Sequence, residues 1–299
     1  MQLAYSPYSL IKKSKLNAKD TGLIQNGALI KVIEDGAWGV ADLCPKPELG
    51  DLSLETQIKE KDFLFLRALE LAREDLLARK NQKSLLQNKF VKNNYLITNY
   101  RTEELNKADY FNNTIKIKAD ADTLSLALKL NTLHEDIRVR LDFNSCLSAD
   151  QFELFLSFLN EKALATIEYI EDPNPMSEQW KNWNNKVALA FDFQRAKYNS
   201  EFAKYQIIKP SRERLSSNSE NVVLTSAMDH PVGVAHGLRL AQSHAKKDSG
   251  FLTLSVFEDI GFNQYFEQKN NYLNFSDFAL NDFGIGMTEE LNKLNWIQL

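Results

Sequence analysis

From about residue 95 onward, short β-branched runs alternate with helix-forming stretches, and that alternation restricts the fold to a mostly parallel sheet covered by helices. Eight runs carry the strand signal: YLITN, TIKIK, RVRLD, TIEYIE, VALAFD, YQIIK, VVLTS and FLTLSV. Between them lie helical stretches such as DTLSLALKLNTLHED, SADQFELFLSFLNEKAL and GVAHGLRLAQSHAKK, with Ser148 the expected N-cap of the second. Eight strands with helical crossovers predict an α/β fold of the (β/α)8 type, a TIM barrel. An open doubly wound sheet is the alternative, but no GxGxxG or GxxxxGKS/T follows the first strand. The repeat spans under about 200 residues, the low end for such a barrel. Some crossovers must therefore shrink to turns, and QRAKYNSEFAK and PSRERLSSNSEN are the expected ones.

The first ninety or so residues differ. GALIKVIED and GAWGVADLCP read as antiparallel strands joined at Asp35 and Gly36, and residues 55 to about 80 lack glycine and proline and read as one long helix. Residues 1–92 are thus expected to form a separate α+β domain and residues 93–274 the barrel, with residues 275–299 returning to pack on the first unit.

Lys and Arg number 36 against 40 Asp and Glu, for a net charge of -4, which disfavours a nucleic-acid or anionic-membrane surface. The N-terminus MQLAYSPYSLIKKSK has no apolar leader and no run of about 18 apolar residues occurs, so a cytoplasmic protein without a membrane partner is expected. Cys44 and Cys146 are too few for a disulfide framework or a zinc site.

Catalysis in such barrels sits where the strands end. The ends here read Lys118, Asp142, Glu171, Asp192, Lys209 and Ser226 in order. One charge at a strand end usually marks water; three consecutive carboxylates between two lysines form a pattern. Three converging carboxylates would repel one another without a hard cation, and an all-oxygen set favours Mg²⁺. Strand alternation puts Lys116 and Lys118 on one face. An isolated KxK is more often an edge-strand guard; opposite these carboxylates, Lys116 is expected to tune and orient Lys118, which handles a proton.

IKIKAD, RLDFN, YIEDP, LAFD and IIKPS resemble, in order and spacing, the five site strands of the enolase superfamily, and within it the muconate lactonizing enzyme subgroup. GAWG resembles that subgroup's cap hairpin and RALELAREDLLARK its cap helix. The resemblance implies a cap over the barrel, Mg²⁺ (Mn²⁺ able to substitute) on Asp142, Glu171 and Asp192, and Lys118 and Lys209 as catalytic residues. RLDFN, with Arg140 ahead of Asp142, is most similar to the branch that dehydrates a cyclohexadiene dicarboxylate to an aromatic acid in menaquinone biosynthesis. On that reading Lys118 removes the α-proton and returns it to the departing hydroxyl, while Lys209 stabilises the enediolate. Lys116, Arg140, Asn144 and Ser226 are the expected substrate contacts, the partner being a small dicarboxylate; the oligomeric state is left open, and a monomer is admissible. Ala119 and Phe193 depart from the usual pattern, at positions that are not ligands.

The succinyl end of such a substrate is expected to meet cap loops, SLIKKSKLNAKDTG included, although its four lysines also read as a solvated loop. His230 lies past the seventh strand, where a related branch carries a catalytic histidine, but the sixth strand here ends in lysine instead of that branch's aspartate. His236, His244, Trp180 and Trp183 read as packing residues. Two rivals stand beside the dehydratase: an N-acylamino acid racemase or dipeptide epimerase on the same scaffold, which Glu258 and Asp259 disfavour by being adjacent, and a catalytically inactive barrel that only binds.

Overall fold

The computed structural model describes residues 1–13, 22–175, 177–192, 200–215 and 220–299. Strands β1 (Gln2–Ile11), β2 (Ile24–Glu34) and β3 (Ala37–Leu43) form antiparallel ladders. The β2–β3 turn falls at Asp35 and Gly36, with φ of 50° and 77°, the backbone that an Asp-Gly hairpin requires. β1 is an addition to the expected hairpin: QLAYSPYSLI holds Pro7, but the strand is secured by pairing with β2 from Gln2 opposite Ile33 to Ile11 opposite Ile24.

Two helices, α1 (Leu54–Glu60) and α2 (Phe63–Lys80), stand where one was expected, because Lys61 turns left-handed at φ 53° and Asp62 starts a new helix. The sequence between them carries no glycine or proline to announce the break. α2 packs Phe65, Ala68, Leu71 and Ala72 against Ile30, Val32, Ala41 and Leu43 of the sheet. Gly39 permits this approach, since a Cβ there would stand 2.1 Å from the Ala72 carbonyl oxygen and 2.2 Å from the Leu76 nitrogen.

The chain continues through β4 (Val91–Lys92), β5 (Tyr95–Ile97), β6 (Thr114–Lys118), α3 (Thr123–Leu130), β7 (Arg138–Asp142), α4 (Ala149–Phe158), α5 (Glu161–Thr166) and β8 (Ile167–Glu171). It then forms β9 (Leu189–Phe191), β10 (Tyr205–Ile208), β11 (Val222–Leu224) and α6 (Pro231–His244). Strands β5 to β11 make a curled parallel sheet in strict sequence order. Ser148 caps α4 in a full capping box with Gln151, as expected, but the helix stops at Phe158 and Asn160 caps α5 through the Ala163 N–H at 2.8 Å. Parts of the two crossovers expected to be turns lie outside the described residues.

The eighth strand is the main departure from the expected (β/α)8 pattern. FLTLSV is not a strand: Leu254–Val256 form a short 3-10 turn, and Ser249 and Gly250 close the barrel instead, in parallel bridges to Asn93 and Thr225. Asn94 N–H donates to the Ser249 carbonyl at 2.8 Å, and Ser226 N–H to that of Gly250 at 2.9 Å. Phe251 is fully buried in the core with α6, so the apolar run meets a packing need; a short apolar run cannot by itself announce which need it meets.

After the barrel, β12 (Phe266–Lys269) and β13 (Tyr272–Phe275) form a small antiparallel sheet with β4. Beyond α7 (Asp277–Leu280) and α8 (Thr288–Asn292), β14 (Ile297–Gln298) pairs antiparallel with β1. Buried Asp75 of α2 joins these parts, accepting from the Val40 N–H at 2.9 Å, the Ile285 N–H at 2.8 Å and Arg79. Among the described residues no helix is long and apolar enough to cross a membrane.

Gly39→Ala is expected to destabilise the protein by about 1–3 kcal/mol or more through overpacking against α2, read as a lower urea midpoint; an unchanged midpoint would contradict the close approach.

Candidate active site

Each strand-end side chain comes from the register of the parallel ladder. Lys118 stands beside Asp142 and Asp142 beside Glu171, while Asp192 and Lys209 fall on the first residues past β9 and β10. Period-2 alternation turns Lys116 and Lys118 inward together, and Ile115 and Ile117 outward into the helical layer, where both are fully buried.

The inward groups are joined by charge. Lys116 Nζ lies 2.7 Å from Glu171 Oε2 and 3.0 Å from Asp142 Oδ2, and Lys118 Nζ lies 2.5 Å from the same Asp142 oxygen. Lys209 pairs with Asp192. Burial pulls the Lys116 ammonium down, but Asp142 and Glu171 outweigh it and carry its pKa well above the ordinary value. Burial raises the Asp142 carboxyl, yet Lys116 and Lys118 hold it well below the carboxylate range. Asp192 is likewise lowered, burial being overcome by Lys209 and then Lys116. Glu171 goes the other way, raised well above its usual value by burial and then by the repulsion of Asp142.

Glu171 is thus the least accommodated anion, and its Oε1 is buried without a hydrogen-bond partner. Among the described residues no three acidic or imidazole groups already enclose a cation, since each carboxylate leans on an ammonium. An all-oxygen donor set with one orphaned buried oxygen fits a hard divalent ion.

Above these groups opens a cavity of about 330 Å³, the low end for small-molecule sites. Lys116, Lys118, Asn144, Asp192, Lys209 and Ser226 all line it, so the structure brings most of the expected residues together. Asn144 takes a left-handed backbone, φ 48°, and its N–H donates to Asp142 Oδ1 at 3.2 Å. Ser226, an expected substrate contact, donates its hydroxyl to Asp229 at 2.9 Å and its N–H to the Gly250 carbonyl at 2.9 Å, so both are already engaged.

Arg140 is not brought to the cavity. It is fully buried beneath the cavity floor, held by Glu168 at 2.7 Å, Asn94 at 3.1 Å and the Asp248 carbonyl at 2.7 Å, with its guanidinium 5.1 Å from the Tyr169 ring centre. Sitting two residues before Asp142, it shares that residue's face but lies one layer lower in the barrel. His230 serves as N-cap of α6, accepting from the Val232 N–H at 3.1 Å, and burial lowers its pKa to about 3. Of the cap lysines in SLIKKSKLNAKDTG, Lys15 and Lys19 lie outside the described residues, as does Phe193, whereas Lys12 lines the cavity.

The sequence did not single out the cap segment at residues 46–51. Lys46, Leu49 and Asp51 line the cavity there, with Arg212 from the barrel side. Arg212 grips Asp51 at 2.6 and 2.7 Å across 161 residues, a separation that no local spacing rule detects.

With this geometry in view, the comparisons are specific. All of this chain aligns, at 31% identity, with 99% of an o-succinylbenzoate synthase from Bdellovibrio bacteriovorus. Residues 3–78 match the family description "O-succinylbenzoate synthase, N-terminal domain". Among solved structures, a muconate lactonizing enzyme from Mucobacterium smegmatis complexed with muconolactone is similar over all of this chain and 99% of its own, with a TM-score of 0.74 and 14% identity. An o-succinylbenzoate synthase from Thermosynechococcus elongatus BP-1, complexed with Mg in its active site, is similar over 87% of this chain and 95% of its own, with a TM-score of 0.66 and 12% identity. A dipeptide epimerase from Cytophaga hutchinsonii also reaches a TM-score of 0.74 at 14% identity, so structural likeness fixes the fold and not the substrate. The fold is that of the muconate lactonizing enzymes: a capped, curled parallel barrel. Within it, the chain belongs to the o-succinylbenzoate synthase family.

Lys116→Met is expected to destabilise the metal-free protein by about 3–5 kcal/mol, because it leaves buried Glu171 without its ammonium. Glu171→Gln should cost far less, since Lys116 keeps Asp142. Urea titrations in EDTA check the contrast, and equal losses would contradict it.

Proposed function

We propose that this protein is a lyase that dehydrates 2-succinyl-6-hydroxy-2,4-cyclohexadiene-1-carboxylate to 2-succinylbenzoate, as its family membership suggests. The observation that carries the reading is the relation of Lys118 to Lys209. β6 and β10 stand four positions apart in a barrel of seven strands closed by one two-residue seam, so their lysines approach one cavity from opposite sides.

In the proposed reaction Lys118, as the neutral amine, takes the proton α to the ring carboxylate. Its ammonium then hands that proton to the hydroxyl as the C–O bond breaks, releasing water and leaving an aromatic ring. Lys209 faces the other side as a fixed cation for the charge that develops on the carboxylate. Asp142, Glu171 and Asp192 would hold Mg²⁺, with Mn²⁺ able to substitute; once bound, the ion supplies Lewis-acid stabilisation of that carboxylate charge. Lys116 keeps Asp142 and Glu171 oriented, and the Asn144 N–H steadies Asp142 from the other side.

The same proposal takes the protein as cytoplasmic and its partner as a small dicarboxylate. It divides the chain into a cap of residues 1–92, joined by 275–299, and a barrel of 93–274; the pairing of β14 with β1 supports the return of the C-terminal segment, and the β4–β13 pairing straddles the boundary. Against the epimerase alternative, Glu258 and Asp259 are exposed and do not line the cavity.

Incubation with the cyclohexadiene substrate and Mg²⁺ is expected to produce the aromatic product, with Lys118→Ala lowering kcat by about 10²–10⁴-fold, the usual contribution of a general base. After EDTA stripping and removal of the chelator, added Mg²⁺ should raise the wild-type Tm and leave that of Asp142→Asn unmoved. Aromatisation unaffected by Lys118→Ala would defeat the assignment.

Lys209→Arg separates dehydratase from epimerase. Arginine keeps the positive charge but does not deprotonate, so measurable dehydration should survive while any exchange at the opposite face is lost. NMR of N-succinyl amino acids in D₂O reads the second outcome. A wild type that inverts the amino acid and never aromatises the diene would favour the epimerase.

A further inference from the structure

The cavity's cations are unequally satisfied. Lys116, Lys118, Lys209 and Arg212 each have a carboxylate partner. Lys46, from the cap, is only 6% exposed and lines the same cavity, yet its Nζ has no ion pair or hydrogen bond among the described residues. A nearly buried ammonium without a direct ion-pair partner is costly, and a cavity-facing one is relieved by an anion that arrives with the ligand.

The backbone beneath Lys46 is built to hold it still. Pro45 and Pro47 flank it. Its N–H donates to Asp51 Oδ2 at 2.6 Å, and its carbonyl accepts from the N–H groups of Leu49 at 2.9 Å and Asp51 at 3.3 Å. Asp51 in turn receives both bonds from Arg212, whose own N–H donates to the Lys209 carbonyl at 2.8 Å. The segment carrying Lys46 is therefore fastened to the turn that carries Lys209. The nearby acid Asp42 is occupied by the Tyr8 hydroxyl at 2.5 Å and the His230 N–H at 2.9 Å. Burial first, and then Asp229, push the Asp42 carboxyl well above its ordinary pKa, against the smaller pull of Lys46.

We infer that Lys46 binds the second carboxylate of the substrate, the one remote from the reacting ring carbon, and so selects dicarboxylates over monocarboxylates. The inference rests on the proposed function for its ligand. It assigns the distal anchor to a cap residue outside the lysine-rich SLIKKSKLNAKDTG segment, and it makes the Asp51–Arg212 pair the brace that sets the distance between the two carboxylate sites. Lys46 touches no reacting atom, so its loss should appear in substrate capture.

The test compares calorimetric binding, in Mg²⁺, of 2-succinylbenzoate and of 2-butyrylbenzoate, which has a methyl in place of the terminal carboxylate. Wild type is expected to prefer the diacid by about ten-fold or more, the usual worth of one charge-assisted contact. Lys46→Met should erase the preference while leaving the affinity for the monoacid within about two-fold, and Lys46→Arg should restore part of it. In turnover, Lys46→Met should raise KM by a similar factor with kcat nearly unchanged. A folded Lys46→Met that keeps the diacid preference overturns the inference, as does a wild type that aromatises the diene but shows no preference. A preference that depends on Lys46 in a protein that never aromatises the diene would sustain the anchor and refute the dehydratase reading. Binding of neither acid would refute both.

Discussion

The site depends on Lys116. It is nearly buried at the centre of the barrel and bridges two carboxylates that would otherwise face each other in a medium of low polarity. A lone carboxylate in that position would be costly, and two would be more so. With Lys116 in place the barrel interior can keep acidic oxygens ready for a hard cation without a large loss of stability. The strain that remains falls on Glu171, whose spare oxygen has no partner and whose ionised form is disfavoured. Gathering like charges at that residue costs stability, as it does in many sites built on converging carboxylates.

The two lysines that bound the cavity have different supports. Lys118 belongs to a ladder paired on both sides, and its neighbour β7 bears its carboxylate partner Asp142. Lys209 follows a four-residue strand and is steadied by Asp192, and the turn behind it is tied to the cap through Arg212 and Asp51. One wall of the cavity is therefore set by the barrel alone and the other by the fit of the cap to the barrel. Asp42, Tyr8, His230 and the contact of His236 Nε2 with the Val40 carbonyl at 2.9 Å make up that fit, and none of these four residues lines the cavity.

The strand-end charges were legible in the sequence because β structure has a fixed period and a parallel ladder repeats it. Once TIKIK, RVRLD and TIEYIE are read as neighbours, Lys118, Asp142 and Glu171 must fall side by side. Arg140 was misplaced because alternation gives the face but not where a long side chain is held: its ladder neighbour Lys116 reaches the cavity, whereas Glu168, Asn94 and the Asp248 carbonyl keep Arg140 out of it. The break at Lys61 and the division of α4 from α5 turn on left-handed or capping backbone, which Lys61 and Asn160 adopt without a sequence mark as plain as glycine. FLTLSV has the composition of a strand and the position of one, but the burial of Phe251 against α6 prevails. Asp51 and Arg212 were invisible because they meet only through tertiary structure, and Lys46 reaches the cavity on the same segment.

The seam at Ser249 and Gly250 has a consequence for how this barrel can change. Two residues carry the closure that a full strand would carry, through a handful of backbone hydrogen bonds, and Gly250, Thr225 and Ser226 beside it line the cavity. The ladder bearing Lys116, Lys118, Asp142 and Glu171 lies elsewhere on the circumference. Replacements at the seam can therefore reshape the cavity wall, while Arg140, gripping the Asp248 carbonyl and Asn94 next to it, ties the seam to the charged ladder. A lineage built on this barrel has a place to drift in cavity shape where few backbone hydrogen bonds need to be remade.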